Sequence, residues 1–111
     1  MLRDDLDYLD GLASLEMEKI CLRRATGLVI LDAGRLRELH PALVRRVLRS
    51  AAQDLLPAGP APPAAALERV LLALRHNTRR TVWQWSPQLR VEWTGTSAGN
   101  RVRFQCVKQE A

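Results

Sequence analysis

Beyond residue 80 the apolar side chains stop recurring every three or four positions and begin to alternate. No other feature constrains the fold as much. In "TVWQWSPQLRVEW" Trp83 and Trp85 flank Gln84, and Leu89, Val91 and Trp93 alternate with Arg90 and Glu92. "SPQ" makes the turn between the two runs. "TGTSAGN" makes a second turn, and "RVRFQCV" sets Val102, Phe104 and Cys106 against Arg101, Arg103 and Gln105. A period of two gives each strand one apolar and one polar face. Three such strands are marginal alone and must bury their apolar face against something else. The preceding segments supply it, so the expected fold is α+β: helices first, then a small three-stranded antiparallel β meander packed on them.

In the helical part, "DDLDYLDGLASLEMEKICLRRA" over residues 4–25 carries Leu6, Leu9, Ala13, Met17 and Ile20 on one helical face. Asp4, Asp5 and Asp7 fall in its first turn and Arg23 and Arg24 in its last, as the helix dipole favours. Gly27 is the expected C-terminal stop. After the short apolar run Leu28 to Leu31, Asp32 is a fitting N-cap for a brief helix ending near Leu39. Pro41 breaks that helix and suits the first turn of the next. "PAGPAPPAA", residues 57–65, is a stiff loop, and Pro63 opens a last helix to about Asn77 with Leu67, Val70, Leu71 and Leu74 inward.

The chain has 111 residues, room for one compact domain, and no apolar run long enough to span a bilayer. Its acidic N-terminus resembles neither a secretory signal nor a transit peptide, so the cytoplasm is expected. Cys21 and Cys106 are far apart, and His40 and His76 are isolated, which leaves no metal-ligand spacing. Glycine-rich phosphate loops and nucleophile–histidine–carboxylate sets are also missing, so the residues themselves give no catalytic site.

The net charge of +5 is uneven: residues 1–26 hold six acids and four bases, and residues 27–111 six acids and thirteen bases. A basic body suggests an anionic partner. Arg45, Arg46 and Arg49 fall within roughly 100° of helical arc, opposite Val44, Val47, Leu48 and Ala51. With Arg35 and Arg37 they form the leading set for phosphate, which the guanidinium fork bonds in parallel pairs. A solvated helix face explains the same pattern equally well. "RHNTRR", with Arg75, Arg79 and Arg80, forms a second cluster, which the helix dipole accounts for by itself. All three tryptophans sit on the apolar alternation, which favours core packing over a base-stacking platform.

"LDAGRLRELHPALVRRVLR" and the later "LRVEW…RVRF" resemble the region that follows the catalytic domain in bacterial tRNA(Ile)-lysidine synthetase. "LHPALVRRVLR" is similar to that family's arginine-rich helix, and "LRV" at residues 89–91 to its meander. "DDLDYLDGLA" resembles its acidic joining helix, which implies a connecting helix over residues 1–27 and an auxiliary substrate-binding domain over 28–111. "SPQ" stands where the family has Pro-Gly-Gly, and the family's Ser-Gly-Gly-x-Asp-Ser loop does not occur. The family joins lysine to the wobble cytidine of an isoleucine tRNA, using ATP. The resemblance therefore implies tRNA as partner, phosphate contacts at Arg37, Arg45, Arg46 and Arg49, and secondary contacts at Arg35, Arg75, Arg79 and Arg80. It implies no catalytic residue, metal or cofactor in this chain, because ATP belongs to a separate ATP-pyrophosphatase domain or subunit. This chain alone is expected to be inactive. The rival expectations are a structural or protein-interaction domain without RNA binding, and one half of a split synthetase.

Overall fold

The computed structural model describes residues 2–76, 81–96 and 99–106. Helix α1 (Leu2–Ile20) leads into strands β1 (Cys21–Ala25) and β2 (Leu28–Asp32). Helices α2 (Ala33–Glu38), α3 (Pro41–Leu55) and α4 (Ala64–His76) follow. Strands β3 (Thr81–Ser86), β4 (Leu89–Thr96) and β5 (Gly99–Cys106) complete the described chain. The architecture is α+β, as expected, but the sheet has five strands rather than three, in the order β1-β2-β5-β4-β3, with every pairing antiparallel.

Of the two additional strands, β1 replaces the segment read as the end of the first helix, and β2 forms from the short apolar run that follows it. That helix stops at Ile20, and residues 21–25 pair with 28–32. The run Leu28 to Leu31 is too short and too β-branched to stand as a helix, and as a strand it needs partners on both sides. It obtains β5 on one side and β1 on the other. Pairing thus overrides the helical preference of "CLRRA". Gly27 does not stop a helix; at φ +72° it turns the hairpin, and its carbonyl accepts the N–H of Cys106 at 2.9 Å.

A bulge between Cys21 and Arg23 decides where the two arginines of β1 go. Arg24 pairs opposite Val29 and turns toward the helices, where it meets Asp54 of α3 at 3.1 Å. Arg23 pairs opposite Ile30 and faces the other way.

The buried face of the sheet is made of cross-strand rows. Val91, Phe104 and Val29 form one, and Trp93, Val102 and Leu31 another, all at most 1% exposed. Ala13, Met17 and Ile20 of α1, Val44, Val47 and Leu48 of α3, and Leu67, Val70 and Leu74 of α4 close over them in one cluster. The first helix is therefore built into the core, and a boundary after residue 27 would fall between two paired strands. Trp93 is fully buried, as the alternation requires, whereas Trp83 and Trp85 are only half-buried.

The predicted helix starts are found. Asp32 caps α2, its Oδ1 accepting the N–H groups of Gly34 at 2.9 Å and Arg35 at 3.3 Å. Pro41 occupies the first turn of α3, and His40 caps it through Nδ1, which accepts the N–H of Ala42 at 3.1 Å. Asp32→Ala is expected to cost about 1 kcal/mol and lower the melting temperature by about 4 °C. An unchanged melt would mean that water serves those amides equally well.

Candidate nucleic-acid interface

Alanine, valine and leucine turn the inner side of α3 to the core, so its arginines emerge on the far side, toward different neighbours. The Nη1 of Arg46 meets Asp10 of α1 at 2.6 Å, with the arginine side chain 19% exposed. Arg45 donates through Nε to Glu68 of α4 at 2.8 Å. Arg49 is exposed and forms no ion pair among the described residues. The predicted arc is present, then, but two of its three guanidinium groups lean on carboxylates from adjacent helices.

The other expected contacts divide similarly. Arg37 donates through Nε to the carbonyl of Leu74 at 2.7 Å, satisfying one of the free carbonyls in the last turn of α4. It ties α2 to α4. Arg35 is exposed and lies 3.9 Å from Asp32, a loose contact. Arg75 is exposed in the last turn of α4, while Arg79 and Arg80 lie outside the described residues. Arg75 lines a small cavity together with Arg37, beside Pro41 and Val44 of α3.

The two pairs differ in exposure. Arg45 and Glu68 both stand in solvent, and such surface pairs are worth about 0–1 kcal/mol. The Arg46 side chain is largely buried against the more exposed Asp10.

A second cationic surface lies on the open face of the sheet. The register carries Arg23, Ile30, Arg103, Glu92 and Val82 across it in one row, with Arg90 and Arg101 in the rows on either side. Arg23, Arg90, Arg101 and Arg103 are exposed and form no ion pair among the described residues. The acids on this face are engaged: Asp32 caps α2, and Glu92 accepts the Thr94 hydroxyl at 3.1 Å. The sequence held a signal for this set. The outward positions of "RVRFQ" are two arginines and a glutamine, more cationic than a strand needs merely for solubility. Their convergence with Arg90 and Arg23 depends on strand order.

No group of three or more His, Cys, Asp or Glu among the described residues could hold a metal ion. No helix among them is long and apolar enough to cross a membrane.

A family model described as the TilS substrate binding domain matches residues 31–105, more than half of the 111-residue chain. The match runs from β2 through the three helices and the meander into β5. No curated protein matches.

Proposed function

The chain belongs to the TilS substrate binding domain family, and from that premise we propose that it is a tRNA-binding module of the lysidine synthetase type. The family match is the observation that carries this reading. Arg45, Arg46 and Arg49 on α3, with Arg37 on α2, neutralise backbone phosphates, position the tRNA without reading its sequence, and release counterions. Arg49 binds without giving up a protein partner, and Arg45 and Arg46 exchange an exposed carboxylate for a phosphate. Activation of the cytidine with ATP falls to a domain that carries the phosphate loop, which these 111 residues do not contain.

A second reading puts the RNA on the open face of the sheet. It is favoured by one observation: the four arginines there form no ion pair among the described residues, whereas Arg45 and Arg46 of α3 do. A cation without an internal partner meets a phosphate without first giving up a carboxylate.

One experiment separates the two. Affinity for an isoleucine tRNA is measured over a range of salt concentrations for the parent chain and two variants. For α3, Arg45→Ala with Arg49→Ala is expected to make the log–log salt slope shallower by about 2. If that variant is unchanged and Arg90→Ala with Arg101→Ala and Arg103→Ala flattens the slope by about 3, the sheet is the interface. If neither moves the slope, the domain does not hold tRNA through these cations and the proposal fails.

A further inference from the structure

Between the first half of α4 and the free edge of β3 runs a groove of about 360 Å³. Strand residues 82–85 line it, and because consecutive strand side chains point to opposite faces, a cavity touching all four is built against the edge itself. β3 is the last strand of the sheet, so the outward backbone N–H and C=O groups along that edge have no neighbouring strand among the described residues. The opposite wall is Ala65, Ala66 and Arg69, small side chains with one cation above them. Arg69 is exposed and forms no ion pair among the described residues, and no carboxylate lines the groove.

Two half-buried indoles give the groove its chemistry. Trp85 stands edge-on against Phe104, centroids 5.5 Å apart at 81°, which fixes its orientation. Its Nε1 is the one buried side-chain donor among the described residues with no acceptor. Trp83, on the same face two residues earlier, also lines the groove. Flat aromatic surface, a lone guanidinium and a strip of unpaired backbone donors and acceptors are what a nucleotide uses. Its base stacks, its phosphate pairs, and its Watson–Crick edge bonds to the backbone.

We propose that this groove receives a single unstacked nucleotide of the bound RNA, with its base against Trp83 and Trp85 and its phosphate on Arg69. The inference rests on the tRNA-binding reading and adds a separate subsite to it. The volume lies in the range of about 300–1,000 Å³ typical of small-ligand pockets, enough for one nucleotide and too narrow for a duplex. An extended peptide adding to the β3 edge is the competing occupant. The cation and the absence of acids, in a chain of net charge +5, favour the polyanion.

The test uses the full chain with single-stranded hexauridylate and hexaadenylate, a 12-base-pair RNA duplex, and an extended acidic hexapeptide as probes. Tryptophan fluorescence and affinity at fixed salt are read together. Trp93 is sealed in the core, so quenching by a stacked base reports Trp83 and Trp85. Single strands are expected to quench and the duplex not to. Ala65→Phe, at an exposed helical position where the fold tolerates bulk, fills the groove and lowers single-strand affinity about tenfold. Arg69→Ala makes the single-strand salt slope shallower by about 0.7. Equal quenching by duplex, unchanged binding in Ala65→Phe, or quenching by the peptide but not by RNA would each overturn the proposal. Because the α3 and sheet variants read tRNA binding separately, the subsite can fail while that binding stands, and the reverse.

Discussion

A chain beginning at residue 28 is expected not to fold cooperatively. The loss is larger than that of a linking helix. Met17 and Ile20, at 4% and 0% exposure, and Ala13, at 2%, would leave the core together. At about 1.5–3 kcal/mol for each large side chain, their burial contributes roughly 4–7 kcal/mol. A domain of this size has about 5–15 kcal/mol of net stability, so this loss removes a large share of it, and all of it toward the lower end. The truncation also strips β1 from β2, which exposes the apolar run Leu28 to Leu31 as an unprotected strand edge. Two contacts to α3 disappear with it, Arg46 with Asp10 and Arg24 with Asp54. Circular dichroism should show no cooperative melt, and the product should associate. A sharp two-state melt from residues 28–111 would show that helices α2 to α4 and the meander suffice.

Trp93→Ala is the single substitution expected to cost most, about 3–5 kcal/mol. The indole is fully buried in the middle of β4, with Thr81 beside it on β3 and Val102 on β5. Its removal leaves a cavity under the row that joins the sheet to the helices. Neighbours in a close-packed interior relax only partly to fill such a space. The urea midpoint should fall sharply with little change in slope, and Trp93→Phe should recover much of the loss. Trp83→Ala should cost distinctly less, because that ring is already half in solvent. Equal losses at the two positions would mean that Trp83 is as much a core residue as Trp93.

The half-burial of Trp83 and Trp85 shows where alternation stops being informative. Period two identifies the face on which a side chain stands, and all three tryptophans do stand on the helix-covered face. How far the helices extend over that face is a separate matter. β4 lies inside the sheet and β3 at its edge, so the same pattern yields a sealed indole in one strand and a groove wall in the other. The arginines of α3 behave likewise. Their arc was legible from 100° per residue, but Asp10 and Glu68, which meet two of them, lie 36 and 23 residues away in the chain.

Local chemistry alone determined the period change beyond residue 80, the Asp32 cap, the proline at the start of α3 and the inward faces of α3 and α4. Each of these depends on side chains within a turn or two of one another, and such interactions are present in the sequence itself. The tertiary structure alone decided that residues 21–25 become a strand, that β2 joins β5 to make one sheet of five, and that Arg23, Arg90, Arg101 and Arg103 share a face. Residues 21–25 pair locally with 28–32, but that hairpin joins the sheet only through pairing some 70 residues away, Leu28 with Gln105 and Asp32 with Arg101. Hydrogen bonds between strands and burial of the apolar run outweigh the weak helical preference of "CLRRA", and no window of neighbouring residues contains that comparison.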